Sequence, residues 1–195
     1  MANVIQSQFN KSRLDKFLLV LNLPPVLKEI SKKDFESRDN DVVIEDSLQF
    51  SVYGSIVPTV TVPAIEVPAI QIGYGGSNLH NSSHAKVPFP PVTVDFTIDN
   101  GFNNYWVIYK WLDMLNDEKN SQYNGKEYTN KITPADYQTD ITLYAKDEFD
   151  ANIVKFTYTK AFPVGLGEIS YNYRTAGEIE TTFEYAFSQL LVELL

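Results

Sequence analysis

The closing stretch of the chain, Gly165–Leu195, reads GLGEISYNYRTAGEIETTFEYAFSQLLVELL. Apolar and polar residues alternate over Ile169–Tyr173 and again over Ile179–Phe187. A period of two predicts β-strands with one apolar and one polar face. We therefore predict a β-hairpin that turns at Thr175–Gly177. Its second arm is long for a strand, so it needs a large surface to lie against.

Outward from this hairpin, other segments also have strand patterns. A near-continuous apolar run at 17–23 predicts a strand covered on both faces, and Pro24 and Pro25 end it. The remaining predicted strands are an alternating segment at 48–56, a second at 92–98, and a hairpin with arms at 139–146 and 152–160. Neighbouring strands are thus expected to be antiparallel, with no alternation of strands and helices.

Prolines and charges mark the irregular segments. Pro58, Pro63 and Pro68 recur every five residues between β-branched neighbours. Because proline lacks a backbone donor, this stretch predicts extended edge structure with breaks. Residues 74–85 are predicted to be a flexible loop. Residues 1–15 are predicted to be a loose arm, and residues 31–47 a charged loop or contact arm.

One helix is predicted, over residues 102–117, with Asn103 or Asn104 as its cap. Its polar residues form a narrow stripe opposite a wide apolar face. The predicted packing residues of that face are Tyr105, Ile108, Tyr109, Leu112 and Leu115, with Trp106 and Trp111 alongside. About seven strands and one helix predict a mainly β fold, an antiparallel sandwich or half-barrel with a flanking helix. We expect a single domain over residues 1–195.

The composition limits the possible partners. The chain has no cysteine, which excludes disulfides and thiolate metal sites. No basic segment is followed by an apolar run at the N-terminus, and no stretch is long enough to span a bilayer, so a cytoplasmic location without a membrane is expected. The formal net charge of −9 argues against direct binding of nucleic acid, since lysine and arginine supply most of the attraction to phosphate.

No motif predicts a catalytic, cofactor or metal site. The glycines after Gly73 lack the lysine and the strand-to-helix context of a phosphate loop. His80 and His84 have no evident third ligand, so they are interpreted as surface residues. Glu178, Glu180 and Glu184 share one face of the last predicted strand. A glycosidase pair needs two carboxyl groups across a cleft, whereas a solvated strand face or an acidic surface repeated around a ring needs only this spacing.

The order of these parts resembles the tail tube proteins of contractile-tailed bacteriophages. The resemblance covers residues 48–195 and rests on five motifs: the strand ending in Asp99-Asn-Gly-Phe102, the helix at 104–115, the hairpin segment at 140–147, the segment at 158–171, and the final strand at 178–187. Residues 1–46 match the family pattern weakly, and the proline-rich stretch at 58–68 is unusual for a strand that lines a lumen.

The resemblance implies a structural subunit without catalysis or cofactor. Each subunit would contribute strands to the inner β-barrel of a hexameric ring, with the edges of the final hairpin paired to the next subunit and the helix outside the barrel. Rings would stack into a tube through which genomic DNA passes without specific binding. Glu178, Glu180 and Glu184 would face the lumen, and the segment with Lys32, Lys33, Asp34, Glu36 and Arg38 would reach a neighbouring ring.

The predicted function is therefore a phage tail tube subunit, assembled in the host cytoplasm and located in the virion tail. Sheath and baseplate proteins are its expected partners. Alternatives are a baseplate protein that initiates the tube, the tube of a bacterial contractile injection system, and a carbohydrate-binding β-sandwich. A glycosidase is the remaining alternative from another class.

Overall fold

A computed structural model describes residues 12–28, 47–51, 59–115, 133–174 and 176–195, with the backbone alone for 47–51. The predicted charged loop at 31–47 lies outside these residues except for Ser47. Of the predicted N-terminal arm at 1–15, only residues 12–15 are described. The strands are β1 (Phe17–Asn22), β2 (Ser47–Ser51), β3 (Thr59–Val60), β4 (Ala69–Tyr74), β5 (Ser77–Ser82), β6 (Val92–Thr97), β7 (Thr139–Lys146), β8 (Asn152–Leu166), β9 (Glu180–Ala186) and β10 (Gln189–Leu194). The helices are α1 (Asn103–Met114) and α2 (Pro134–Tyr137), and residues 25–28 form a helical turn.

The predicted mainly β, antiparallel fold is confirmed. One sheet has the strand order β2-β1-β7-β8-β9-β6-β3, with β10 also paired to β8, while β4 and β5 pair separately. The long strand β8 takes part in two layers: its first part pairs with β7 and β10, and its last part, from Phe162, pairs with β9. The change occurs near Lys160, whose φ of 53° lies in the left-handed region. A strand that passes from one layer to the next in this way forms the corner of a sandwich.

The predicted first arm of the final hairpin is wrong. Residues 167–174 form no strand, and Tyr171 and Tyr173 are exposed, so their alternation does not reflect burial. The partner of β9 is instead the end of β8. The second arm is correct, since β9 covers Glu180–Ala186 with Thr181, Phe183 and Tyr185 buried. Together β9 and β10 follow almost the full length of β8, which supplies the large surface that this long segment needs.

The predicted loop at 74–85 is also wrong. Residues 69–82 form the hairpin β4–β5, which turns at Gly75 and Gly76 with φ values of 55° and 82°. Two consecutive positive φ values match a type I′ turn, which suits the twist of a two-stranded ribbon. Beyond the strands, Ser83 N donates to Pro68 O and Val87 N donates to Glu66 O, at 2.9 and 3.0 Å. We call residues 61–91 the arm.

Helix α1 covers the core with a different face from the predicted one. Phe102 occupies the cap position without a side-chain cap, and Asp99 Oδ1 accepts from the backbone N–H of Asn103 at 2.6 Å. The buried residues are Asn104, Val107, Ile108, Trp111 and Met114. Of the five predicted packing residues only Ile108 belongs to this set; Tyr105, Leu112 and Leu115 are half-buried, and Tyr109 is exposed.

The reason for this shift is Asn104, a polar residue that points inward. Its Nδ2 donates to Thr97 O at 2.9 Å, and its Oδ1 accepts from Asp99 N and Tyr105 N. These hydrogen bonds tie the start of α1 to the end of β6, which removes most of the cost of burying the amide. Deeper in the helix, Trp111 Nε1 donates to Tyr137 O at 2.9 Å and joins α1 to α2.

The core between the layers is aromatic. Phe96 and Phe183 contact each other edge to face across β6 and β9, with ring centroids 5.7 Å apart. Tyr158 and Tyr185 are fully buried and make a similar contact at 5.4 Å. Burial raises the pKa of Tyr158 to about 12 and raises the pKa of Tyr185 still further. Both tyrosines are therefore neutral parts of the core.

We expect Gly167→Ala to destabilise the fold and Gly177→Ala to leave it intact. A Cβ at Gly167 would lie 2.5 Å from Thr182 Oγ1 and 3.1 Å from Thr182 N, beside the hydrogen bond from Gly167 N to Thr182 O. The resulting overpacking should cost about 1–2 kcal/mol of unfolding free energy. Gly177 has nothing within 4 Å and no positive φ, so alanine there should be neutral or stabilise by up to about 1 kcal/mol. Urea unfolding of both variants checks this, and equal stabilities would contradict it.

Candidate assembly surfaces

The outward face of β6 and β9 is an acidic surface. Side chains at 92, 94 and 96 of β6 point into the core, so those at 93, 95 and 97 point outward. The cross-strand pairs on this face are Thr93 with Glu184, Asp95 with Thr182, and Thr97 with Glu180. Each carboxylate thus faces a threonine rather than another carboxylate, an arrangement that avoids like charges directly opposite each other.

Individual contacts support this arrangement. Thr93 Oγ1 donates to Glu184 Oε1 at 3.4 Å, and Glu180 and Glu184 are both exposed. Neither β6 nor β9 contains a lysine or an arginine. The negative charge on this face is therefore not balanced by basic residues of the same two strands. Long-range repulsion of anions is the physical property that it offers.

The surface extends beyond the two strands. A shallow cavity of about 290 Å³ is lined by Asp95, Glu168, Glu180, Thr181 and Thr182. Of the three glutamates predicted from the sequence, Glu180 and Glu184 lie on this face of β9, and Glu178 is exposed in the loop before it. Asp95 and Glu168 were missed. The alternation in β6 identifies Asp95 as outward-facing, but only the pairing of β6 with β9 brings it to the same surface.

The arm carries the second surface, which is apolar. Ile72 lies opposite Leu79 in the β4–β5 pair, and Ile70 and Tyr74 lie on the same side of the ribbon. All four side chains are between 47% and 74% exposed. Val62, Ile65, Val67 and Val87 nearer the base are exposed as well. A set of exposed apolar side chains of this size on a two-stranded ribbon is typical of an interaction site.

The histidines do not form a metal site with their neighbours. His80 lies on the other side of the ribbon, opposite Gln71, and His84 follows β5 with a φ of 55°. Across the residues that the structure describes, no group of three His, Asp or Glu side chains could hold a metal ion. The described residues contain no helix with the length and apolar character of a membrane span. The predicted inter-ring residues Lys32, Lys33, Asp34, Glu36 and Arg38 lie outside the described part of the chain.

Comparison with known proteins gives a family and a fold. A family model described as "Phage tail tube protein" matches residues 12–192. No curated protein matches the sequence. Among solved structures, the chain is similar to the tube-terminating cap of the anti-feeding prophage, with a TM-score of 0.60 and 12% identity over 100% of both chains.

Two structures of an extracellular contractile injection system called PVC are also similar. The sheath/tube terminator has a TM-score of 0.59 and 10% identity, over 96% of this chain and 99% of the other. The sheath-tube complex has a TM-score of 0.57 and 10% identity, over 95% and 93%. At these identities the likeness is one of fold.

Proposed function

The chain belongs to the phage tail tube protein family, and from this premise we propose that its copies form hexameric rings that stack into a DNA-conducting tail tube. The observation that carries the proposal is the two-sided sheet of β6 and β9, apolar toward the core and acidic toward the outside. A tube lumen needs such a face, because it must be wetted and must not retain the polyanion that passes along it.

In this proposal the acidic face lines the lumen. Glu180 and Glu184 would recur once per subunit around each ring, joined by Asp95 and Glu168. Phosphates moving along the axis would then meet a negative potential on every side, so the DNA would move without finding a site to bind. Glu178 would lie at the rim of the same surface, since it precedes β9 in a loop.

The remaining parts of the role follow from this placement. The subunit would act by geometry and electrostatics, with no reaction and no cofactor. Sheath and baseplate proteins would contact the tube from outside and at its end, and assembly would take place in the host cytoplasm before the tail joins the virion. The predicted inter-ring contact of residues 31–47 remains a prediction of the sequence.

Three other functions are alternatives to the tail tube. A role at one end of the tube, in the baseplate or as a cap, would use the same fold, because the cap of the anti-feeding prophage covers the whole chain. A bacterial contractile injection tube would use it too. Carbohydrate binding would have to use the exposed tyrosines Tyr74, Tyr171 and Tyr173, because Trp111 is buried and Trp106 is half-buried and stacked on Tyr109.

Negative-stain electron microscopy of the purified protein tests the proposal, with size-exclusion chromatography over a range of concentrations. We expect rings or tubes with a central hole and six-fold symmetry, and a soluble species near six times the chain mass of 22.2 kDa. A chain that stays monomeric at every concentration would overturn the proposal. Single rings that never stack would instead favour a role at the end of the tube.

A further inference from the structure

The outer edge of β10 is an open strand edge. Within the described residues, β10 pairs only with β8, and Leu195 N donates to Ile153 O at 2.9 Å. Alternate residues of an antiparallel ladder direct their N–H groups to the same side. Leu191 and Glu193 therefore donate toward β8. The N–H groups of Leu190, Val192 and Leu194 point to the opposite side, where no described strand lies.

This edge is also apolar. Leu191 and Val192 are about half exposed, at 46% and 51%, and Leu194 is 84% exposed. A strand edge of six residues, three of them apolar and exposed, offers backbone donors and acceptors to any strand that approaches it. Next to it, a cleft of about 460 Å³ is lined by residues 86–89 at the base of the arm and by residues 187–191. Phe89 stacks on Phe187 at 5.0 Å and forms its wall.

The arm supplies a strand that matches this edge. β4 has six residues, as β10 does, and two of them are β-branched isoleucines whose side chains are half exposed. Within the described chain, β4 pairs only with β5. A two-stranded ribbon is marginally stable in water unless its apolar side is covered. The arm therefore has an apolar side that is not covered, and the β10 edge has a row of backbone groups with no described strand beside it. Pairing the two would bury the first and satisfy the second.

We propose that β4 of one copy's arm pairs with the open edge of β10 in another copy, so that each subunit is joined to its neighbour by strand addition. This inference rests on the proposed function, because it requires that copies assemble. Charge does not oppose a second copy as the partner, despite the net charge of −9. β4 has no charged residue, and the only acid of β10, Glu193, is paired with Lys155 of the same chain at 3.1 Å.

A pair of proline variants tests the backbone part of the proposal. In Val192→Pro the lost N–H is one that points away from β8, so the monomer should fold and keep its melting temperature within about 3 °C. Assembly should need at least about tenfold more protein, since strand addition loses a hydrogen bond and meets the proline ring. In Glu193→Pro the lost N–H is one that donates to β8, so the melting temperature itself should fall, by about 6 °C or more.

The outcomes separate this inference from the proposed function. If the wild-type protein forms tubes and Val192→Pro forms them at the same concentration, the strand addition is wrong and the tube proposal stands. If the wild-type protein forms neither rings nor tubes, the proposed function is wrong, and the strand addition between copies is wrong with it. If Val192→Pro unfolds as Glu193→Pro does, the assignment of the open edge is wrong.

Cysteine cross-linking identifies the partner strand, because the natural chain has no cysteine. An assembled mixture of Ile72→Cys and Val192→Cys proteins should form a disulfide-linked dimer on mild oxidation. The matched control replaces Val192→Cys with Phe149→Cys, a position of similar exposure in the turn between β7 and β8. Equal cross-linking in the two mixtures would overturn the pairing of β4 with β10.

Discussion

Tubes assembled from a Glu180→Lys, Glu184→Lys double variant should retain double-stranded DNA that wild-type tubes do not hold. Each substitution reverses a charge on the outward face of β9, and that face has no basic residue in β6 or β9 to begin with. Repeated around the proposed ring, the change would replace a repulsive lumen with a cationic one. Since counterion release drives binding to phosphates, we expect affinity to rise by about 100-fold or more at low salt and to fall steeply as salt is added.

Nuclease protection shows where the DNA is held. DNA inside a tube should resist digestion, whereas DNA on the outer surface should be degraded. The matched control is a pair of single variants, Glu180→Lys and Glu148→Lys, which change the net charge equally. Glu148 is exposed in the turn between β7 and β8, away from β9. Retention of protected DNA should rise in Glu180→Lys and not in Glu148→Lys. Equal retention in the two variants would mean that β9 does not line the lumen.

The same surface shows what the sequence could predict. Alternation gave the outward direction of Glu180 and Glu184, because burial on one side of a strand imposes a period of two on the sequence. Alternation could not predict that Asp95 and Glu168 lie on the same surface, because that depends on which strands are neighbours in the sheet. Pairing of β6 with β9 is set by contacts far apart in the chain, and no local pattern encodes it.

Three other differences between the predictions and the structure have local causes. Ile169, Tyr171 and Tyr173 alternate as a strand would, but their chain segment leaves the sheet at Gly167. The hairpin β4–β5 was missed because β5 contains a single apolar residue, Leu79, and therefore shows no period of two. Its signal was the pair Gly75-Gly76, a two-residue turn between extended segments. In α1, the inward Asn104 moved the buried face, since an amide with backbone partners can occupy a core position.

An Ile70→Asp, Ile72→Asp double variant should fold as the wild type does and fail to assemble. Both isoleucines lie on the apolar side of the arm, 49% and 47% exposed in the single chain. If a second copy covers them, each loses roughly 1–2 kcal/mol of burial, and each aspartate adds the cost of removing a charge from water. The concentration needed for assembly should therefore rise by about 100-fold or more. Sedimentation velocity over a concentration series measures that threshold, and urea unfolding of the monomer measures stability.

The control for this variant lies on the same ribbon. Gln71→Asp and Asn78→Asp place the same charges on the opposite side of the β4–β5 pair, at diagonal positions and not directly opposite each other, since Asn78 faces Gly73. This second double variant should assemble near the wild-type concentration, because its charges stay in water. The comparison separates contact from net repulsion: both variants add two negative charges to an acidic chain, so repulsion alone would weaken both equally. Loss of assembly in the first variant only is the result that assigns the apolar side of the arm to a contact between copies.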